Sequence, residues 1–360
     1  MSVKTLLDYR SLKAMYESEK TNASIPTPFT DTFFTNPTSE ETDDFTMIVD
    51  SVEQRPAPLN NKGGKARVLD KSGASERRGV LFNSFNVMPF GAELIDAIRE
   101  PDSPTIDRKA TREVRRQLSK FAFRHVIQKE VVISKIITDG IVYYDVATGV
   151  IKEASGDSDS IPIDFGVSAN HKGTLNGLVS GYISTASFEL HELIEDIKEQ
   201  AEAENVSSPT EIWCHSSMKQ YIRALTEFQT YATASFNVSE QLLRGEYVEN
   251  LFGMNWHFLS GRYQDSAGNN IPTMDPKKLI FTPPVNEGWV QASNGKILVP
   301  TTLNLYDDAM AALAGVSEQY GEYAYATVSH NPVGIEAYAG DCYGLNFTQP
   351  NAIWQATVLA

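Results

Sequence analysis

Apolar positions in this chain change period several times, and the changes mark its elements. Between Phe45 and Val87 two stretches alternate apolar with polar residues: FTMIVDSVEQ at 45–54, then ARVLDKSG and GVLFNSFNV within 66–87. The tip between them is RPAPLNNKGGK. A period of two predicts strands, and the Pro/Gly/Asn run predicts their turn. An isolated two-stranded ribbon is marginal in water, so this one is expected to lie on another molecule. From Asp107 the period becomes helical. Val114, Leu118, Phe121 and His125 share one face, and the pattern predicts a helix over 107–139 with Asp107 as N-cap. At 1.5 Å per residue such a helix is about 50 Å long. Its β-branched second half, VVISKII at 131–137, argues for an early end.

Residues 1–44 read as an irregular arm, with a short helical period from Leu6 to Ser18 and then ASIPTPFTDTFFTNPTSEETDD. Phe29, Phe33 and Phe34 are expected to be anchors that need a partner surface, supplied by a neighbour. After Asp139-Gly140, IVYYDVATGVI predicts a hairpin around Ala147-Thr148-Gly149, and IPIDF a short strand. Thr185–Glu204 reads as an acidic amphipathic helix with Phe188, Leu190, Leu193, Ile194 and Ile197 inward. EIWC (211–214), MNWHFL (254–259) and KLIFT (278–282) are expected core strands. Ser216 or Ser217 can cap a helix running through Phe228, and Glu240–Glu249 predicts another. The chain closes with YAGDCYGLNFT and NAIWQATVL around Gln349-Pro350-Asn351. That hairpin-like pair is expected to complete a sheet begun near 130–165. The order is therefore arm, extended loop, long helix, hairpin, α/β lobe and a final strand pair, and the expected fold class is α+β.

Charge changes the picture. The chain has 360 residues and a net charge of -15, with 31 basic and 46 acidic side chains. Two segments, 62–78 and 108–135, hold 15 of the basic and 4 of the acidic residues, for a net of +11. The remainder therefore carries -26. Opposite charges confined to different elements fit contacts between copies. An acidic remainder argues against a dedicated nucleic-acid binder. No apolar run approaches the roughly 20 residues that span a bilayer, and no secretory signal is expected from MSVKTLLDYRSLKAMYESEK. Cys214 and Cys342 are expected to be reduced core thiols.

Candidate chemistry is sparse. His191-Glu192-Leu193-Ile194-Glu195 resembles the zinc-protease helix, but Glu195 replaces its second histidine. His191 and Glu195 could hold two positions on a metal, which gives one reading of the chain as a metal-dependent hydrolase. The plainer reading is the polar face of an acidic helix. Cys214 and His215 are adjacent on a predicted strand and point to opposite faces, which prevents their pairing as nucleophile and base. Lys62-Gly63-Gly64-Lys65 lacks the spacing of a phosphate loop. His125 is expected to be a satisfied core histidine. No enzyme, cofactor or metal is expected.

The order of elements resembles the tailed-phage major capsid proteins of the Hong Kong 97 fold, and within them the lambda-type major capsid protein E family. The resemblance runs from about residue 30 to the end. It is most specific in CYGLNFT, a Pro-Asn turn and the closing WQATVLA, and in DGIVYYDVATGVIKEAS before IPIDF. It implies an N-terminal arm at 1–44 and an extended E-loop at 45–90. It implies a peripheral domain at 91–180 and 336–360, with a spine helix at 107–139 and a β-tongue at 140–165. An axial domain is implied at 181–335. The implied function is structural: hexamers and pentamers forming an icosahedral head around double-stranded DNA bound without sequence specificity. The implied partners are the chain itself, a separate scaffolding protein, a portal and a decoration or head-stabilising protein, with no membrane. The implied location is the virion, assembled in the bacterial cytoplasm. An encapsulin-like nanocompartment is the alternative of the same fold. With the charge division, the resemblance marks Lys62, Lys65, Arg67, Arg77 and Arg78 as expected inter-subunit contacts. Arg112, Arg115 and Arg116 are the basic face of the expected spine helix, placed to steady loops or to face enclosed DNA.

Overall fold

The structure is a computed structural model. It describes residues 9–22, 25–41, 46–50, 74–89, 104–145, 149–152, 160–185, 188–234, 250–265, 268–300, 316–330 and 333–360.

The chain begins with helices α1 (Tyr9–Asn22) and α2 (Pro28–Phe33), then strand β1 (Thr38–Glu40). Strands β2 (Thr46–Asp50) and β3 (Ala74–Arg78) pair antiparallel, Thr46 opposite Arg78 and Asp50 opposite Ala74. This is the predicted two-armed ribbon; its tip lies outside the described residues. Strand β4 (Phe82–Pro89) follows but leaves the ribbon and joins another sheet. The returning arm therefore does two jobs, only the first of which the alternation announced.

Helix α3 runs from Pro104 to Asp139. It begins three residues before Asp107, with proline in its first turn, where a missing N–H costs nothing. It also continues through the β-branched run instead of stopping there. Val131, Val132, Ile133, Ile136 and Ile137 are all buried, and burial of five large side chains outweighs propensity differences of a few tenths of a kcal/mol each. The stop comes at Gly140, whose φ of +62° is the left-handed conformation glycine adopts without strain. A Cβ there would lie 2.8 Å from Val167 Cγ2. Lys278 reaches the Asp139 carboxylate, and Gln355 Nε2 donates to the Ile137 carbonyl at 2.8 Å, so the last turn is capped by side chains.

After α3 come β5 (Ile141–Asp145), β6 (Ile151–Lys152) and β7 (Ser160–Asp164), a small antiparallel sheet with β5 central. Next are β8 (Lys172–Gly173), α4 (Leu190–Ala203), β9 (Glu211–His215), α5 (Met218–Ala224) and α6 (Thr226–Ala234). The helix expected through Phe228 is thus two helices, broken at Leu225, which is extended. The helix expected at Glu240–Glu249 lies outside the described residues. The remaining strands are β10 (Asn250–Leu251), β11 (Met254–Leu259), β12 (Arg262–Gln264), β13 (Asn270–Pro272), β14 (Lys278–Thr282), β15 (Val290–Pro300), β16 (Val316–Tyr320), β17 (Glu322–His330), β18 (Val333–Phe347) and β19 (Trp354–Thr357).

Packing divides the chain into two compact units. One holds Met1–Phe45, Gly79–Glu130 and Ala292–Leu345; the other holds Thr46–Arg78, Val131–Gln291 and Asn346–Ala360. In the first unit the sheet order is β1-β15-β18-β17, with β4 on β18 and β16 on β15. In the second the order is β10-β11-β9-β14-β19-β8. The second unit's core gathers Leu193, Ile194 and Ile197 of α4 with Cys214, Trp256, Leu279, Phe281 and Trp354. EIWC, MNWHFL and KLIFT are its central strands, as their apolar runs predicted.

One expectation needs correction. The closing strands are not a hairpin. β18 belongs to the first unit's sheet, while β19 crosses to the second and lies between β14 and β8. The Pro350–Ala352 turn redirects the chain instead of folding it back on itself. The error comes from reading neighbours in sequence as neighbours in a sheet. Strands β16 and β17 belong to the first unit, in the sheet that also holds β4.

Candidate functional site

Three features of the first unit carry unusual chemistry: a buried polar latch under the N-terminal helices, the basic face of α3, and an aromatic sheet face on which Phe85 and Val87 are exposed.

The latch starts from side chains that the sequence did not single out. On α3, Lys129 and Glu130 are adjacent, and both are buried. The Glu130 carboxylate accepts from Phe29 N at 3.0 Å, Thr30 N at 2.8 Å and Thr30 Oγ1 at 2.8 Å. It therefore satisfies the orphan N–H groups of α2, whose own N-cap Thr27 makes no side-chain cap bond. Burial pushes the Glu130 carboxyl up, against the pull of its Thr30 and Phe29 donors. Lys129 Nζ lies 3.0 Å from Asp341 Oδ2 on β18. It also stands 3.7 Å from the centre of the Phe34 ring and 4.8 Å from that of Tyr343. Desolvation pulls the Lys129 ammonium down and the Asp341 charge raises it again; the net shift is downward. Above these sits His125. Its Nδ1 is 2.7 Å from Tyr16 Oη on α1, and its Nε2 is 2.9 Å from Asn86 Nδ2 on β4. His125 is the satisfied core histidine its place on the apolar face predicted.

Phe29 and Phe33 are therefore not held out for a neighbour. Both are buried within the chain, and Phe34 packs edge-on against Tyr343 with ring centres 6.2 Å apart. The expectation that these rings anchor the arm on another molecule is corrected: they anchor it on its own α3 and β18. A polar, Pro/Thr-rich segment can dock because α3 supplies the missing hydrogen-bond partners. Lys129, Glu130 and Asp341 were missed for a common reason. On an isolated helix a lysine beside a glutamate reads as solvated surface, and Asp341 is 212 residues away. The only sequence signal was the alternation of β18, which points Asp341 the same way as Ala339 and Tyr343.

Beside the latch is a cavity of about 790 Å³ bordered by Lys13, Lys20, Lys129, Asp31 and Glu322. Its lysines are engaged: Lys13 with Gln319, Lys20 with Glu322, Lys129 with Asp341. Among the described residues these lysines leave no unpaired cation facing the cavity.

The basic residues are placed as follows. Arg112, Arg115 and Arg116 are exposed on α3. Arg115 Nε is 3.5 Å from Glu19, and Arg116 forms a two-pronged contact with Glu113, 2.7 Å at its shorter arm. That pairing holds the Glu113 carboxyl below its ordinary value. Arg77 lies on β3, as does Arg78, which is exposed. Lys62, Lys65 and Arg67 lie outside the described residues.

The enzyme-like motifs disperse. His191 packs edge-on against Phe252 at 5.6 Å, while Glu195 pairs with Lys198 at 3.2 Å on the same exposed face. Cys214 is in the second unit's core, where burial pushes its thiol up, away from a reactive thiolate. His215 turns the other way and meets Ser217 Oγ at 2.9 Å. Among the described residues no group of three or more His, Cys, Asp or Glu side chains stands together as a metal site. No described helix is long and apolar enough to cross a membrane.

The third feature is the face of β4, β18 and β17 opposite the latch. Phe85 and Val87 on β4 are 52% and 51% exposed. Tyr325 stacks on Tyr338 with ring centres 5.0 Å apart, and Phe85 on Tyr338 at 5.3 Å.

No family model matches the chain, and no curated protein matches its sequence. Solved structures do match. A protein assigned as the capsid protein of a prophage of Escherichia coli CFT073 superposes with a TM-score of 0.51 at 15% identity, covering 98% of this chain and 99% of the other. A phage-related protein from Bordetella bronchiseptica RB50 gives 0.43 at 10% identity, covering 97% of each chain. A structure from Gordonia phage Cozz gives 0.44 at 9% identity, covering 91% of this chain and 84% of the other. The fold of this chain is the Hong Kong 97-type phage capsid fold, mixed helix and sheet.

Proposed function

We propose that this chain is a structural building block of a phage head, a major capsid protein whose copies assemble as hexamers and pentamers into an icosahedral shell around double-stranded DNA. The observation that carries this reading is fold agreement along the entire chain, at 98% and 99% coverage, with a protein assigned as a prophage capsid protein. The chemistry points the same way. Polar clusters in the described chain are spent on holding its own elements together, while exposed charge and aromatic surface remain at the periphery. In this reading the β2–β3 ribbon and its basic residues 62–78 form an E-loop reaching a neighbour, and α3 is the spine of a peripheral domain. A closed shell needs one surface to meet a different surface on the next copy, which suits a basic ribbon set against an acidic remainder. Arg112, Arg115 and Arg116 are spine residues that steady loops or face DNA. A scaffolding protein, a portal and a decoration protein complete the assembly, in the bacterial cytoplasm, and the product resides in the virion.

Electron microscopy of the chain expressed alone and with a candidate scaffolding protein tests the reading. Closed shells or capsomer rings are expected; a persistent monomer under both conditions would overturn it. A second prediction concerns the ribbon. Arg77→Glu with Arg78→Glu is expected to lower the assembled fraction at least tenfold, with the unfolding midpoint of the chain unchanged. Normal particles from that variant would remove the ribbon's charge from the assembly mechanism.

A further inference from the structure

One stripe of α3 combines an exposed ring with unpaired cations. Arg112, Arg116, Lys120, Phe123 and Ile127 follow at i, i+4, i+8, i+11 and i+15, which puts them on one face of the helix. Arg124 flanks the ring. All are exposed except Ile127, which is half-buried. Phe123 is 50% exposed, and among the described residues no other large apolar side chain stands open on a helix. A single exposed ring needs no explanation by itself; its surroundings do. Arg116 is engaged by Glu113. Arg112, Lys120 and Arg124 make no ion pair among the described residues. A ring set among three such cations is matched by a surface that is apolar at its centre and acidic at its rim.

On its neighbouring flank α3 already accepts a helix of this kind. α1 turns Leu12, Tyr16 and Glu19 inward, at i, i+4 and i+7. Leu12 and Tyr16 are fully buried. Tyr16 Oη lies 2.7 Å from His125 Nδ1, and Glu19 Oε1 lies 3.5 Å from Arg115 Nε. An apolar seam bordered by a carboxylate is therefore what holds a helix against α3, and the Phe123 stripe offers the same chemistry again. A DNA duplex would satisfy the cations alone. Its base faces are stacked and covered, so Phe123 would meet sugar and phosphate, with the Glu113 carboxylate opposing. Helix α4 of a second copy also falls short. Its outer face carries Glu192, Glu195, Glu199 and Glu202, but its apolar residues are in the core, so the ring would stay uncovered.

We propose that the outer stripe of α3 is a docking surface for an acidic amphipathic helix of a different protein. Phe123 sits between that helix's apolar anchors, and Arg112, Lys120 and Arg124 pair with carboxylates along its borders. The proposal goes beyond the shell reading and does not depend on it, because the stripe belongs to a single chain.

Fluorescence anisotropy on the full chain before assembly, at physiological ionic strength, tests it. The probe is a labelled synthetic helix of about 20 residues, with leucine at i, i+4, i+7 and i+11 and glutamate on both borders. It is expected to bind, and its affinity should fall at least tenfold when its leucines are replaced by serine. Phe123→Ala should weaken the leucine helix at least tenfold with the unfolding midpoint unchanged, and so should Lys120→Glu with Arg124→Glu. No binding of the leucine helix, equal binding of the serine helix, or no loss in Phe123→Ala would each overturn the proposal and leave the stripe a solvated charged face. A labelled DNA duplex is the second probe. It should bind at least tenfold more weakly than the leucine helix and should not respond to Phe123→Ala. A duplex that binds as tightly as the helix and displaces it would assign the stripe to nucleic acid and overturn the proposal as well.

Discussion

Replacing Asp341 with alanine is expected to cost about 3–5 kcal/mol of folding stability, read as a lowered denaturant midpoint. The magnitude follows from what remains. Lys129 and Asp341 have side chains only 6% and 3% exposed, and their Nζ–Oδ2 distance is 3.0 Å. Without the carboxylate the ammonium keeps the faces of Phe34 and Tyr343, which offset only part of its lost hydration, about 2 kcal/mol at best. A loss of this size is a large fraction of the 5–15 kcal/mol that typically holds a domain together. Lys129→Met alone should cost a comparable amount for the mirror reason. Asp341 would stay buried without its cation, and its Oδ1 already lacks a partner among the described residues. The double variant Lys129→Met with Asp341→Leu should recover most of the loss, because it strands no charge and sets apolar side chains against the Phe34 and Tyr343 rings. A double variant no more stable than either single would show that the loss comes from the missing pair and not from a stranded buried charge, and would overturn this account.

The contrast with what the sequence revealed is instructive. Period and punctuation located α3, the β2–β3 ribbon, the β5–β6 hairpin and the three core strands of the second unit. Each of these is decided by residues close together in the chain. The latch is decided by pairings between residues 29–34, 125–130 and 341–343, which no local pattern connects. Lys129 illustrates the failure best. Its neighbours Arg112, Arg115 and Arg116 on the same helix are exposed, as read, while Lys129, about four turns further on, is covered by the N-terminal helices. Periodicity marks a helix face as polar, but it cannot tell whether another element with a matching polar group will cover that face. The Phe29, Phe33 and Phe34 rings were recognised as needing a surface. What could not be read was that α3 provides one. The aromatic face was hidden differently. Tyr325, Tyr338 and Phe85 are ordinary strand residues in sequence, and only the register that stacks them around Gly340 turns them into a continuous surface.

Acid is expected to loosen the first unit through His125. Burial, helped by the nearby Lys20 charge and opposed by Glu322, lowers its pKa from 6.5 to about 4. The ring is 4% exposed and faces Tyr16 from α1, Asn86 from β4 and Phe121 from its own helix. A neutral ring serves both polar partners with its proton on Nδ1: Nδ1–H donates to Tyr16 Oη, and Nε2 accepts from Asn86 Nδ2. A second proton would place N–H against N–H at Asn86 and put a charge where water is excluded. The sign follows from linkage. Between the two pKa values the unfolded chain binds the proton and the folded chain does not, so stability falls as pH falls. The contribution is complete above pH 6.5, declines through the interval, and is lost once pH drops below about 4. Its size is about 3 kcal/mol, from 1.36 kcal/mol per unit of pKa difference. The measurement is the unfolding midpoint from pH 7 to 4, for the natural chain and for His125→Gln. The glutamine variant should be less stable at pH 7, where it loses the fitted ring, and should show a shallower decline with acid. Parallel pH profiles would assign the acid response to the buried carboxyl groups and remove His125 from it. The same group ties α1 to β4, so this residue links the acid sensitivity of the N-terminal helices to the strand whose outer face bears Phe85 and Val87.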